Sequence, residues 1–380
     1  MPLHIDDDIK CPDDVNIEIL SKILNVKHIV EFCIAPLGRG VLSNVLTLDV
    51  KLSSTNTMQF LVKFRKDEIP LDDLFKVEST FYELADELEQ VDAMFPFRLA
   101  KALATGSNCI ILELIQDVTC LDVHQSCPVD YFDDLIHKLA EIHAYCWVGS
   151  SSAISKKIHT EYAPRLAVSP GAGQSLPAST RQEQFEVAWP AVRKRLLPFF
   201  SSEDICRLDE IVNWIASVDR IEVIKRCVEE RRYTLVHGDF HMGNLLLPTT
   251  ANKCDSSVDN RPWLVDWSFS GVGNPIVDLV FFLGMNDVTN IDCVLQNYHN
   301  VIKERSQLSL DDLLTMFREC LLNQFVMLVC YDSLCREMAG SRKDQHAHFD
   351  RVNTRCARMI LAYNFDNSGG ILPIQSLTTK

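Results

Sequence analysis

The densest set of residues able to do chemistry is His237-Gly238-Asp239-Phe240-His241-Met242-Gly243-Asn244, followed by Val265-Asp266-Trp267. The polar members stand between apolar runs: residues 233–236 before, Leu245–Leu247 after, and Trp263–Val265 ahead of Asp266. Acids at strand ends are costly to bury unless they are paired or metal-bound. Phosphoryl transfer would use such a set. The transferred group carries its charge on oxygens, so a protein needs bound Mg²⁺ and positioning more than a strong nucleophile. Mg²⁺ takes hard oxygen ligands, and Asn244 and Asp266 supply an amide oxygen and a carboxylate. An alcohol acceptor needs a carboxylate to orient it and take its proton, a role that suits Asp239.

The elements that must hold these residues follow from periodicity. Ile17, Leu20, Ile23 and Leu24 share a face of a short helix within residues 12–30. Leu42, Leu46, Leu48 and Val50 follow a strand period, and Phe60–Phe64 reads as the returning strand of an antiparallel hairpin. Gly38-Arg39-Gly40 is expected to be a turn at its start. Val77, Phe81, Leu84, Ala85 and Leu88 line a helix over 75–90, and Cys109–Leu112 is a short buried strand. Leu135, Leu139, Ile142 and Cys146 mark a helix ending near Trp147. Residues 149–185, rich in Ser, Gly, Pro and Ala, read as a loop or lid, followed by helices near 188–200 and 203–228. Leu245–Leu247 and Trp263–Val265 read as two strands joined by the polar insert Thr249–Arg261. Beyond Pro275 the pattern is helical to about 364. Strands and one helix first, then mostly helices, suggest two lobes with a boundary near 113–118 and a small-molecule cleft between them.

The order His-x-Asp-x-x-x-x-Asn, then a carboxylate after a β hairpin, matches the kinase catalytic-loop and metal-binding pattern. Gly238 replaces the Arg usual in protein kinases, and Trp267-Ser268 replaces Phe-Gly. Leu235–Asn244 with Val265-Asp266-Trp267 and Asp278-Leu279 resembles the aminoglycoside phosphotransferase / choline kinase superfamily, most closely its CHK kinase-like (ecdysteroid-kinase-like) branch. Phe75-Lys76-Val77-Glu78-Ser79-Thr80-Phe81-Tyr82 and Leu139-Ala140-Glu141-Ile142-His143-Ala144 with Trp147 resemble helices of that group. The likeness runs over roughly residues 35–285.

The resemblance implies an α+β, protein-kinase-like two-lobed fold: N-lobe 1–112, hinge 113–118, C-lobe 119–380. It implies an ATP- and Mg²⁺-dependent kinase of a small-molecule hydroxyl. Asp239 would be catalytic, and Asn244 and Asp266 would hold the metal. Lys63, paired with Glu78, would contact the α/β-phosphates. Gly38 and Gly40 would lie in the nucleotide-covering loop, Glu113 to Ile115 would meet adenine, and Asp278 would brace the catalytic loop.

Other readings stand beside this one. Lys63 could be an exposed strand lysine near Arg65 and Lys66, and Glu83 rivals Glu78 as its partner. Asp239, Asn244 and Asp266 could be mere capping and turn residues. His237, Asp239 and His241 alternate and could form the metal triad of a hydrolase, which would leave Asn244, Asp266 and Lys63 without a role. His143, His237 and His241 suit packing or loop support. A catalytically inactive kinase-like binding protein would be expected to lose the Lys or an acid, and none is lost.

Bulk composition bounds the rest. With 380 residues, 47% hydrophobic, and a mean hydropathy of +0.02, the chain is ordinary globular material. A net charge of −15 argues against a nucleic-acid partner, which needs a basic face. Fourteen scattered cysteines without a CxxC read as reduced, mostly buried thiols. No signal peptide and no uncharged apolar run of membrane-spanning length is read, so the cytoplasm is the expected compartment. The substrate pocket is expected from 149–185 and the helices after 285. Asp287, Asp292, Asp311 and Asp312 would suit a cationic alcohol, and Phe325–Val329 a steroid-like one. Oligomeric state leaves no mark in the sequence.

Overall fold

Alternating burial builds the first sheet. In the strand Ser43–Lys51, Leu48 and Val50 are fully buried, and in Thr57–Arg65 Phe60, Val62 and Phe64 are. In this computed structural model residues 2–5, 9–39, 43–66, 72–91, 95–123, 125–150, 152–163, 178–216, 229–249 and 259–364 are described. Glu31–Arg39, Ser43–Lys51 and Thr57–Arg65 form an antiparallel meander. The last of these pairs Cys109–Glu113, which pairs Ala102–Thr105, and Leu3–His4 joins that strand in parallel. The result is a six-stranded sheet with Glu31–Arg39 at one edge. The expected hairpin is therefore part of a larger sheet, and Gly38 and Arg39, expected in a turn, belong to its edge strand. A bulge falls between Pro36 and Gly38, where proline has no N–H for the ladder, and an edge strand tolerates that.

The helix Ile17–Leu24 covers this sheet through Leu20; Asn16 caps it, and Asn25 ends it at φ 51°. Asp72–Val91 is the expected second helix, with Val77, Phe81, Leu84, Ala85 and Leu88 buried. A smaller four-stranded sheet runs in the order Arg98–Leu99, Trp263–Leu264, Leu245–Pro248, Val118–Cys120. Its central pair is the hairpin expected around residues 245–264.

The chain divides into two compact units. One comprises Met1–Leu121, Lys156–Ala167 and Gly243–Ser270; the other comprises Asp122–Ser155, Val168–Met242 and Gly271–Lys380. The second unit is mostly helical: Val129–Tyr145, Ala178–Leu196, Ser202–Ala216, Ile276–Met285, Ile291–Ser306, Leu310–Ala339 and Lys343–Tyr363. One two-stranded ladder, Thr234–Val236 with Gly271–Gly273, lies within it. Ile276–Met285 is buried through Ile276, Leu279, Val280, Phe282 and Leu283, as a nearly all-apolar helix must be. At Gly284 an added Cβ would stand 3.0 Å from Cys356 Sγ on Lys343–Tyr363, so a larger residue there would require that side chain to shift.

The stretch read as a loop at 149–185 is helical at both ends. Ala153–Lys157 continues into a π-helical turn, Ile158–Tyr162, and Ala178–Leu196 begins earlier than the pattern suggests. Ile154, Ile158 and Tyr162, at helical spacing, and Phe185 are the buried anchors, in a stretch otherwise dominated by Ser, Ala, Gly and Pro. Residues 164–177, most of the 249–261 insert, and the end of the 203–228 helix lie outside the described residues.

Leu310–Ser333 is long and apolar enough to cross a membrane by length and composition. Its Leu313, Phe317, Leu321, Phe325 and Val329 are buried in the helical unit. This is a core helix with a deliberate start: Ser309 accepts from Asp312 N at 3.1 Å, and Asp312 Oδ2 accepts from Ser309 N at 3.2 Å. The Ser309 hydroxyl, more than any other neighbour, holds the Asp312 carboxyl below its ordinary value of 3.8. A depressed folded pKa means that the stabilisation is present at neutral pH and is lost as pH falls through that lowered value. Asp312→Asn should cost about 1 kcal/mol at pH 7. The deficit should shrink in urea melts below pH 4; a deficit independent of pH would contradict the assignment.

Candidate active site

In the sheet unit, Lys63 is buried at 8% exposure in the middle of Thr57–Arg65. Its Nζ lies 2.6 Å from Glu78 Oε1 and 3.3 Å from Asp266 Oδ1. Burial alone would favour the neutral amine, but the charges of Asp266 and Glu78 outweigh it and hold the ammonium protonated well above its ordinary range. Burial pushes the Glu78 carboxyl up, with Lys63 opposing. The lysine is thus no exposed strand residue, and Glu78 is the glutamate it meets. Tyr82, one helical turn on from Glu78, is also buried; burial first, then the Glu78 charge, raises its phenol well above the usual value.

Asp266 takes φ 63°, a left-handed conformation that is strained for a residue with a Cβ. Ser268 Oγ donates to its Oδ1 at 2.9 Å. The next residue, Trp267, is buried; its indole Nε1 donates to Leu264 O at 3.0 Å. Its ring lies flat on Phe81 with centroids 3.7 Å apart and planes 6° from parallel. That stack ties the Asp266 turn to the helix that carries Glu78. Asn244 is buried at the end of the turn Met242–Asn244, and its carbonyl accepts from Val265 N at 3.0 Å. The backbones carrying the amide and the carboxylate are therefore neighbours. An amide oxygen and a part-exposed carboxylate beside an ammonium are a donor set that fits Mg²⁺, whose remaining ligands are usually waters and phosphate.

Other expected residues in this unit are placed as follows. Gly38 sits in the edge strand opposite Val45, and Gly40 lies outside the described residues. Glu113 ends its strand opposite Phe60, with Oε1 accepting from Lys101 N at 2.9 Å. Ile115 follows, half-buried, in the connection after that strand.

In the helical unit, Asp239 is half-buried on the segment after Thr234–Val236. Its Oδ2 lies 3.3 Å from His241 Nε2, and its N–H donates to His237 Nδ1 at 3.2 Å. Asp278, fully buried, accepts from His237 N through Oδ2 and from Gly238 N through Oδ1, both at 2.7 Å. Two charge-assisted bonds to consecutive N–H groups fix the loop just ahead of Asp239. Among the described residues no three His, Cys, Asp or Glu side chains gather as a metal-binding group. His237 already uses Nδ1 on the loop backbone, so the hydrolase triad has no support.

Several residues expected to shape a pocket have partners within the helical unit. Arg355 Nε donates to Asp287 at 2.9 Å, Tyr363 OH donates to Asp292 at 2.7 Å, and Asp312 caps its helix. Asp311 stands in the first turn of that same helix. Phe325, Val326 and Val329 are core, with Phe325 edge-on to Trp189 at 5.9 Å. Every described cysteine is a free thiol, yet Cys11, Cys33, Cys120, Cys206 and Cys293 are exposed rather than buried. Ser268 and Tyr82 enter the sequence motifs without a role of their own, and the Phe81–Trp267 stack leaves no mark in the sequence. Only Tyr82 had a local signal, its helical spacing from Glu78.

The sequence profile described as the ecdysteroid kinase-like family matches residues 38–309. No protein of curated function matches the chain. Among solved structures, the chain is similar to a protein of Ralstonia eutropha JMP134 assigned by inference as an aminoglycoside phosphotransferase. Identity is 12%, covering 91% of this chain and 98% of that one, with a TM-score of 0.50. It is similar also to the choline kinase LicA of Streptococcus pneumoniae, at 15% identity over 90% and 98% of the two chains and a TM-score of 0.45. A Plasmodium vivax ethanolamine kinase matches at 13% identity over 88% and 84%, with a TM-score of 0.44. At these identities the likeness concerns the fold, which is protein-kinase-like, α+β.

Proposed function

The chain belongs to the ecdysteroid kinase-like family, and from that premise we propose that it is a Mg-ATP-dependent kinase transferring the γ-phosphate to a hydroxyl of a small molecule. The observation that carries this reading is the buried Lys63 held protonated between Glu78 and Asp266. A structural ion pair would need one carboxylate. A lysine shared between a buried glutamate and a part-exposed aspartate keeps a positive charge available to phosphate oxygens.

The proposed roles follow from the groups. Lys63 contacts the α/β-phosphates, with Glu78 orienting it. Asn244 and Asp266 would hold Mg²⁺, which when bound neutralises charge on the phosphates. Asp239 accepts a hydrogen bond from the acceptor hydroxyl and so aims its oxygen. As the new O–P bond forms, the bond from the γ-phosphorus to the β-phosphate oxygen breaks and ADP leaves. The hydroxyl proton passes to Asp239. Asp278 keeps the loop bearing Asp239 in one shape. Gly38, Gly40, Glu113 and Ile115 are assigned to the nucleotide, with N-lobe 1–112, hinge 113–118 and C-lobe 119–380 as the working division. The free thiols suit a reducing compartment, for which the cytoplasm is proposed.

The test is a thermal-shift screen with Mg-ATP followed by ADP-release assays over cationic and lipophilic alcohols. An active kinase gives ADP release that rises with one alcohol class. Stabilisation by Mg-ATP with no alcohol-dependent release across the panel would overturn the enzymatic reading in favour of a nucleotide-binding protein.

A further inference from the structure

The support for the catalytic loop extends beyond Asp278. His143, fully buried on Val129–Tyr145, places Nε2 3.2 Å from Asp278 Oδ2 and Nδ1 2.5 Å from the hydroxyl of Tyr298. Tyr298 lies on Ile291–Ser306 and is also fully buried. The carbonyl of His143 accepts from Thr234 Oγ1 at 2.9 Å, which ties the same residue to the strand leading into the loop. Four elements thus meet at one residue, three of them at its imidazole.

The directions of the bonds in this chain follow from the donors each group carries. A carboxylate has acceptors only. Asp278 already accepts from two backbone N–H groups, so the bond to His143 requires a proton on Nε2. A neutral imidazole with its proton there has only an acceptor at Nδ1. In that neutral form the Tyr298 hydroxyl donates to it, whereas an imidazolium would donate from both nitrogens and make the tyrosine oxygen the acceptor. Its ionisation is pushed well above the ordinary phenol value, first by burial and then by the Asp278 charge, in keeping with a phenol that remains a donor.

We propose that Tyr298 is a positioning residue for the catalytic loop: its hydroxyl fixes His143 as the Nε2–H tautomer, and through His143 and Asp278 it holds the backbone ahead of Asp239. The role rests on the kinase reading for its effect on turnover, but not for the tautomer itself. Without the hydroxyl, Nδ1 is a buried acceptor with no donor, and the ring is free to exchange tautomers or turn away from Asp278. Asp278 would then hold the loop with one fewer brace.

Two measurements test it. In the wild-type chain, ¹⁵N NMR of the histidine rings should show His143 with Nε2 protonated and Nδ1 bare; the opposite tautomer, or a ring protonated on both nitrogens, overturns the proposal whatever the enzyme does. In Tyr298→Phe, the His143 signals should move toward a mixture of tautomers. kcat should fall by about tenfold or more, the usual scale for removing an outer-shell partner, while Mg-ATP affinity holds. An unchanged kcat, or a fall in kcat with the tautomer unmoved, would overturn the proposal. Should the variant fail to fold, the wild-type spectrum alone decides. A chain that turns over no alcohol defeats the kinase reading while leaving the tautomer result intact.

Discussion

Asp239→Asn should lower kcat by about 10²–10⁴-fold, the range for loss of a positioned general base, with Mg-ATP affinity unchanged. An amide can still hydrogen-bond to an alcohol but cannot take its proton at the moment of transfer. The loop should survive the change. Its shape is set by Asp278 on His237 N and Gly238 N, and by the Asp239 N–H on His237, none of which involves the Asp239 carboxylate. The carboxylate lies 3.3 Å from His241 Nε2. ADP release and ATP titration on the same preparation separate the two quantities. Turnover that survives the substitution removes Asp239 from the chemistry. A parallel loss of ATP affinity would reassign it to binding.

Lys63→Met should have the largest effect on stability. Glu78 is 2% exposed, and removing its cation leaves a carboxyl in the core with its burial penalty uncompensated. Breaking a buried pair from one side costs about 3–5 kcal/mol. The sign with pH is specific. Burial already raises the Glu78 carboxyl with Lys63 present, and losing Lys63 removes an interaction that opposes the rise. The variant should therefore be least stable above neutrality and recover as acid protonates Glu78. Lys63→Met with Glu78→Leu should regain most of the stability, since neither charge remains to be satisfied. It should regain no turnover, because nothing then meets the phosphates. A double variant as unstable as the single would show that packing, not charge, is the role of the pair. A double variant that retains turnover would remove Lys63 from the reaction.

What the sequence made legible follows the range of each signal. The strands and helices around Leu48, Val62, Phe81 and Leu139 announced themselves by local period, and the helical run beyond Pro275 did too. Asp239, Asn244 and Asp266 stood out because costly polar groups interrupt apolar strands. Lys63 and Glu78 were reached through resemblance, since a lysine two residues from Arg65 carries no local mark of burial. The helices inside 149–185 escaped notice because the Ser, Gly, Pro and Ala content of the stretch outweighed one short apolar stripe, Ile154, Ile158 and Tyr162. Tyr298 could not be found at all: its partner is 155 residues away, on another helix. The engagement of Asp287 and Asp292 was hidden for the same reason. Their partners, Arg355 and Tyr363, are likewise distant in sequence, so a committed carboxylate looks like an available one.

The central claim is that Lys63, Asn244 and Asp266 form a seat for a magnesium-bound triphosphate. Calorimetric titration of ATP into the wild-type chain and into Asp266→Ala, each with Mg²⁺ and with the metal chelated, tests it most directly. Saturable one-site binding by the wild type that Mg²⁺ strengthens by about tenfold or more, and loss of that Mg²⁺ dependence in Asp266→Ala, is the predicted result. Binding that is absent, indifferent to Mg²⁺, or equal in the two proteins would contradict it.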